Sequence, residues 1–180
     1  MLSRSKVLSR GVTLVELLVT LVILSVGVLG VAGLQVTSMQ LTRDVNFRLT
    51  AVQLANDVLD RVRMNRNQTY ALGFGDVPPV GAVNCSSTTC TSAQLATYDL
   101  ARWACTVRSQ NLAGETYPIC TTLSVAGVLP LGASRIEAVS GAAGTYEVEI
   151  RWSIDGIQTL CGSRDAGQPC QSLTLRTSVQ

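Results

Sequence analysis

A run of 23 residues near the start of the chain, Val12 to Leu34, contains a single charged side chain, that of Glu16. As an α-helix this run would rise about 34 Å, enough to cross the hydrocarbon core of a bilayer once. An ionised side chain at the bilayer centre costs about 2.5 to 3.5 kcal/mol on insertion scales, so a lone intramembrane acid is by default a functional candidate. Any fold of this chain must therefore accommodate an apolar helix and give Glu16 a role.

The residues around this run resemble the leader and N-terminal helix of type IV prepilins. A short basic segment ends at Gly11, and Thr13 and Glu16 follow in the apolar run. The stretch 24–35 is similar to minor pilins of the PilV group in particular. The resemblance implies that a prepilin peptidase cuts after Gly11 and methylates the new amino terminus at Val12, where Phe is usual in the family. It also implies that Glu16 meets the terminal amine of a neighbouring subunit in a filament.

The same residues allow three other interpretations. A secretory signal peptide could be cleaved after the small residues 30–32, but its apolar region normally has 7 to 15 residues and lacks a Glu. A plain signal anchor explains the apolar length and assigns Glu16 no role. A capping box between Thr13 and Glu16 is compatible with the prepilin interpretation, because the helix dipole and a nearby cation both favour an ionised Glu.

Charge and composition exclude several classes of function. Three of the 14 basic residues belong to the leader, which leaves 11 against 12 acidic residues and a mature net charge of about −1. With aromatic residues at 4% and no long basic run, the sequence does not predict nucleic-acid binding. The chain has no His, which removes the usual base of Ser and Cys nucleophiles, and it contains no phosphate-binding Gly loop. We therefore expect neither catalysis nor a cofactor.

Six cysteines follow the apolar run, on the side that the basic leader predicts to be exported. An even number in an oxidising compartment indicates disulfides, although six cysteines allow 15 connectivities. We expect sequential local pairing, Cys85 with Cys90, Cys105 with Cys120, and Cys161 with Cys170, but spacing alone does not decide it. A metal site is not expected, because the chain lacks His and any C-x-x-C spacing.

The apolar run is predicted to continue as an amphipathic helix from 35 to 66, with apolar residues at steps of three and four. Its segment Val52 to Val62 is expected to pack on a C-terminal sheet. Gly27, Gly30 and Gly33 should soften the apolar half, since each Gly disfavours helix by about 1 kcal/mol relative to Ala. Close packing of membrane helices through small residues explains the same glycines equally well.

A Gly- and Pro-rich loop follows residue 67, and Thr91 with Gln94 then fits a capping box for a helix from Ser92 to about Ala104. The segment 84–103 again resembles the PilV group. Trp103 is expected to close a core rather than to bind a partner.

The last third predicts an antiparallel sheet. Alternation from Tyr146 to Ile154 indicates a strand, followed by an Asp155-Gly156 turn into residues 157–160. A second strand is expected from Leu173 to Val179 and a further one from Tyr117 to Ala126. The polar face of the strand from Tyr146 carries the charged residues Glu147, Glu149 and Arg151. We expect this face to be solvated and not catalytic.

These observations predict an α+β, type IV pilin-like fold in which a long N-terminal helix packs on an antiparallel sheet. The expected segments are a leader at 1–11, a membrane or filament-core half-helix at 12–34, an amphipathic half-helix at 35–66 and a periplasmic head at 67–180. The resemblance implies a minor pilin that is anchored in the inner membrane and then incorporated near the pilus tip. The alternatives are a minor pseudopilin of type II secretion and, less in keeping with the sequence, an envelope enzyme or sensor.

The same resemblance implies a set of partners. They are prepilin peptidase, other minor pilins and the major pilin, the inner-membrane assembly platform, membrane lipid and, as a further candidate, a tip adhesin.

Overall fold

The computed structural model describes residues 11, 13–111, 113–153, 161 and 170–179. Within these ranges it contains three α-helices and three β-strands. In chain order they are α1 (Leu14–Met64), α2 (Ser92–Val107), α3 (Pro118–Thr122), β1 (Ala133–Ala138), β2 (Thr145–Ser153) and β3 (Cys170–Ser178). The chain divides into two compact units, residues 1–43 and residues 44–180.

The first unit contains the amino-terminal part of α1. The helix begins directly after Thr13, whose Oγ1 accepts a hydrogen bond from Glu16 N at 3.3 Å, so one of the free N–H groups of the first turn is satisfied. The apolar side chains that follow are exposed within this unit. The helix is long and apolar enough to cross a membrane.

The second unit is built on the carboxyl-terminal part of α1. One face of this part is buried at steps of three and four, and it shares a hydrophobic core with Ile136 of β1 and with Val148 and Ile150 of β2. The expected packing of this part of the helix on the sheet is thus confirmed. The buried residues of that face are Ala51, Leu54, Ala55, Val58, Leu59 and Val62.

Helix α2 contributes side chains to the same core. Its capping box forms as predicted: Thr91 Oγ1 accepts from Gln94 N at 3.3 Å, and Gln94 Oε1 accepts from Thr91 N at 2.9 Å. The helix runs three residues further than predicted, to Val107. Trp103 is 1% exposed and donates its indole N–H to Leu54 O at 2.9 Å, so it closes the core as expected.

The sheet has the order β1-β2-β3, and both pairings are antiparallel. Strands β2 and β3 lie where the alternation predicted strands, whereas β1 was not predicted. Leu72 forms an isolated bridge with Ile136 at the outer side of β1. The predicted Asp155-Gly156 turn and the strand at 157–160 lie outside the described residues.

The predicted strand from Tyr117 to Ala126 is wrong. Pro118 occupies the first turn of α3, where its fixed φ and missing N–H favour helix. Cys120 of this helix is joined to Cys105 of α2 by a disulfide, which holds the segment against α2 instead of in the sheet. Ser124 then adopts a φ of 54°, which ends the regular structure.

The predicted solvated face of β2 is also wrong. Glu147, Glu149 and Arg151 are 8%, 7% and 8% exposed. The physical reason is that the carboxylates are paired with arginines: Arg135 of β1 contacts both of them, at 2.8 Å and 3.1 Å. Alternation indicates which residues share a face of a strand, but it does not indicate whether that face is covered.

Candidate functional site

The amino-terminal part of α1 presents an unpartnered apolar surface in the isolated chain. Its Leu, Val and Ile side chains are more than half exposed from Leu14 to Val36, and Glu16 is the acidic residue of the first turn. Gly11 is exposed, whereas Val12, the predicted methylation position, lies outside the described residues. Such a surface is stable only when a bilayer or other apolar helices cover it.

The three glycines lie within the uninterrupted helix α1. A Cβ built on Gly27, Gly30 or Gly33 meets no atom within 4 Å, so the chain itself does not require glycine there. Gly27 lines a shallow apolar groove together with its helix neighbours Leu24, Val28 and Val31. Their suggested role in softening the helix stays a prediction.

Two family models match contiguous parts of the chain. Residues 8–32 match the prokaryotic N-terminal methylation motif, and residues 33–101 match the family described as type IV pilin Tt1218. The chain is a type IV pilin. Comparisons with curated proteins and with solved structures gave no match.

Membership of this family accounts for the long helix, the antiparallel sheet and the disulfides of the fold. Type IV pilins are structural proteins, so this pilin is not an enzyme. The methylation motif implies processing by a prepilin peptidase and assembly into a pilus, and together with the apolar helix it is consistent with inner-membrane anchoring.

The head of this pilin carries three disulfides, formed between sequential cysteines. Cys85–Cys90 closes an exposed loop just before α2, and Cys105–Cys120 joins α2 to α3 within a small second core. The third disulfide joins Cys161 to Cys170, which is the first residue of β3. Each bridge closes a short local loop of the head.

A polar cluster that the sequence analysis missed joins α1 to α2. Arg61 Nη1 donates to Asp99 Oδ1 at 2.7 Å, and the Tyr70 hydroxyl donates to Asp99 Oδ2 at 3.0 Å. Asn65 Nδ2 lies 3.2 Å from Tyr70 Oη and 2.8 Å from Ser92 O. The available signal was the position of Asp99, three residues after Ala96 and four before Trp103, which places a carboxylate on the buried face of α2.

The environment of this cluster shifts two pKa values. Burial lowers the pKa of Arg61, but the hydrogen bonds that Arg61 donates to Asp57 and Asp99, together with the charges of these carboxylates, outweigh burial and raise that pKa above its ordinary value. Burial, together with the charge of Asp99, raises the pKa of Tyr70 to about 12. Both shifts keep the side chains in the protonation states that bind Asp99.

A second missed cluster lies on the sheet. The Arg135 guanidinium, which contacts Glu147 and Glu149, also lies 5.4 Å from the ring centre of Phe74, and that of Arg151 lies 4.1 Å from the same ring. Arg151 also binds Glu149 Oε1 at 2.8 Å. Within each of the two clusters, the arginines pair with the carboxylates. The role of both clusters is therefore to hold the elements of the head together.

Proposed function

We propose that this type IV pilin is a minor pilin similar to the PilV group. It inserts in the inner membrane as a prepilin, with residues 1–11 in the cytoplasm and the head in the periplasm. Prepilin peptidase then cleaves between Gly11 and Val12 and methylates Val12. The observation that carries the proposal is an exposed apolar helix with one acid, Glu16, in its first turn after the cleavage position.

Glu16 supports assembly by electrostatics. Cleavage creates an ammonium group at Val12, and within a dry bundle of helices an unpaired carboxylate would be costly. Pairing Glu16 with the amine of a neighbouring subunit removes that cost and fixes the axial position of one helix against the next. Thr13 contributes by capping the helix, because its Oγ1 binds Glu16 N.

The apolar surface supplies the driving force. Moving residues 12–34 from lipid into water would expose a long row of large apolar side chains, so extraction must be coupled to their burial against other pilin helices. Accordingly, segment 12–34 serves first as the membrane anchor and then as the filament core. Segment 35–66 is the amphipathic half of the helix, and the region 67–180 forms the head.

The partners that follow from this proposal are prepilin peptidase, the inner-membrane assembly platform, membrane lipid, other minor pilins and the major pilin. The subunit takes part in initiating the pilus and stays near its tip, where an adhesin could bind. Its loss is expected to reduce pilus-dependent twitching motility.

A minor pseudopilin of type II secretion is the alternative, since the leader and Glu16 would serve it equally. The test is deletion of the gene, with parallel assays of surface pili, twitching and protein secretion. Loss of pili with normal secretion is expected; loss of secretion with normal pili would establish the pseudopilin instead.

Processing is tested separately by intact-mass analysis of the membrane form. The expected mass lacks residues 1–11 and carries one added methyl group. Gly11→Val places a β-branched residue at the cleavage position and should retain the leader, whereas Gly27→Ala, in the same apolar run, should be processed normally. A wild-type mass that includes the first eleven residues would contradict the proposal.

A further inference from the structure

The two edges of the head sheet differ within the residues that the structure describes. At the outer side of β1, Leu72 and Ile136 exchange two backbone hydrogen bonds, both at 2.9 Å. At the outer side of β3, no backbone hydrogen bond is seen among residues 11, 13–111, 113–153, 161 and 170–179. The β3 edge is therefore the accessible edge of this part of the head.

The register identifies which backbone groups of β3 face outward. Val179 N donates to Gly144 O, one position beyond the last ladder pair, Thr145 with Ser178. Hydrogen-bonded and non-hydrogen-bonded pairs alternate in an antiparallel ladder, and residues of the latter direct N–H and C=O away from their partner strand. The outward residues of β3 beyond its disulfide-linked first residue are thus Ser172, Thr174, Arg176 and Ser178.

The same alternation can be checked at the opposite edge. Val148 of β2 pairs with Leu175 of β3 and with Ile136 of β1. If Val148 directs its backbone groups toward β3, those of Ile136 must face the outer side of β1. Leu72 binds them there, which agrees with the assignment.

The β3 edge lacks most of the features that protect natural edge strands. It is nine residues long and contains no Pro and no Lys, and all four outward residues are exposed. Its one charged residue, Arg176, binds Glu147 through Nε, yet its side chain is 68% exposed. The guanidinium therefore remains accessible to a carboxylate on a neighbouring strand.

The inner face of β3 would also gain from an added strand. Leu173 and Leu175 pack against the core but remain only partly buried. Side chains on adjacent strands contact each other across a sheet, so an apolar residue beside these leucines would extend the core.

Antiparallel pairing with the β3 strand of a second copy of this chain does not fit this edge. Antiparallel pairing of two β3 strands uses a two-fold axis perpendicular to the sheet. Because the buried face of α1 runs along the core from Ala51 to Val62, that axis would point the amino-terminal ends of the two residue 44–64 segments in opposite directions. Two chains anchored in one membrane through these ends cannot pair in this way.

We infer that the β3 edge, Ser172 to Ser178, binds an extended strand from a different pilin subunit that carries an acidic side chain for Arg176. This inference rests on the proposed function, since it takes the partner from the same assembly. Backbone hydrogen bonds supply the affinity, and Arg176 with the two leucines supplies the selectivity.

The first experiment places a photo-reactive phenylalanine analogue at Ser172 of the full-length chain in cells. The matched control carries it at Thr121, an exposed residue of α3. We expect a crosslink from position 172 to a different pilin, identified by mass spectrometry, in a yield at least about fivefold above that from position 121. A crosslink to a second copy, or no crosslink to a pilin above the control yield, overturns the inference.

The second experiment adds Thr174→Pro to the Ser172 probe chain. Proline removes the outward N–H of residue 174 and leaves the hydrogen bonds to β2 intact, because that residue does not bond to β2. The crosslinked fraction should fall about tenfold, while Thr174→Ala, which keeps the N–H, should stay within about twofold. Equal fractions for Pro and Ala overturn the inference.

The mature mass and the intact disulfides of each variant are measured in the same samples. A chain that retains its leader contradicts the proposed function, whereas a processed chain without the position 172 crosslink contradicts only the β3 inference. The two failures are therefore distinguishable.

Discussion

Arg61 of α1 and Asp99 of α2 form an ion pair with an Nη1–Oδ1 distance of 2.7 Å, and their side chains are 21% and 6% exposed. The pair connects two helices that are far apart in sequence. Arg61 also holds Asp57, its neighbour one turn earlier, through Nε at 3.0 Å. One guanidinium thus links an exposed and a buried carboxylate, which allows a matched comparison of the two.

Asp99→Asn should lower the free energy of unfolding of the detergent-solubilised chain by about 2 to 3 kcal/mol. The change weakens the acceptor of Arg61 and Tyr70 and leaves the arginine without its buried partner. Asp57→Asn, at a side chain that is 48% exposed, should cost less than about 1 kcal/mol. Urea titration of both variants measures the difference, and equal costs would contradict the assigned role of Asp99.

Tyr70 should make stability fall at high pH. Its pKa in the folded chain is about 12, above the ordinary value of 10, so folding favours the protonated hydroxyl. The stabilisation is complete below pH 10, decreases as the unfolded chain releases the proton between pH 10 and 12, and is lost above that window. The expected total is on the order of 2 kcal/mol.

Tyr70→Phe isolates this effect, since Phe does not titrate. The difference in unfolding free energy between wild type and Tyr70→Phe should be constant below pH 10 and shrink between pH 10 and 12. A difference that does not change across that window would show that Tyr70 titrates normally in the folded chain.

Glu147 and Glu137 offer a second matched pair, because both contact Arg135 at 2.8 Å. Their side chains are 10% and 49% exposed, respectively. Glu147→Gln removes the negative charge that compensates the guanidinium groups of Arg135 and Arg176. It should lower the free energy of unfolding by about 2 to 4 kcal/mol. Glu137→Gln should cost less than about 1 kcal/mol, as measured by denaturant titration. The reverse order would mean that the buried face of β2 is hydrated in solution.

Glu16→Gln should separate anchoring from assembly. Gln keeps the size of the side chain and removes the charge, so membrane insertion and cleavage should remain normal while the proposed pairing with a neighbour's amine is lost. We expect the fraction recovered in sheared pili to fall about tenfold, with an unchanged mature mass. Asp44→Asn, which removes a carboxylate at the start of the second unit, is the control and should be incorporated normally.

The triple change Gly27→Ala, Gly30→Ala and Gly33→Ala tests the softening prediction. The chain has room for all three methyl groups, and each Ala should stabilise the helix by about 1 kcal/mol. If bending is needed on leaving the bilayer, incorporation into pili should fall. Incorporation and filament shape that match wild type would reject the softening role.

Local signals were sufficient to predict α1, the capping box of α2 and the strands β2 and β3. Each depends on residues close in sequence, such as Thr91 with Gln94, or on a long run of one period. Strand β1 was not predicted from the sequence. Its six residues place both Ser134 and Ile136 on one side, so apolar and polar residues do not alternate clearly.

Long-range pairing explains the remaining errors. The sequence 117–126 is rich in β-formers, yet Pro118 and the bridge from Cys120 to Cys105 favour a helix there. Glu147 and Glu149 are buried because Arg135, distant in sequence, neutralises them and Phe74 stacks on its guanidinium. Nothing within a local window of sequence specifies these partners.

The bridge between Leu72 and Ile136 limits the stoichiometry of contacts made through the sheet. A β-sheet that continued from one head to the next would need an open edge on both sides of every head. Leu72 is bonded to Ile136 near the middle of β1 and so occupies one of these edges. If a partner strand binds at the β3 edge, each head can bind one such strand there and cannot add a second one at the outer side of β1. The result would be a defined pair of subunits and not an open-ended aggregate, even at the high local concentration of a membrane surface.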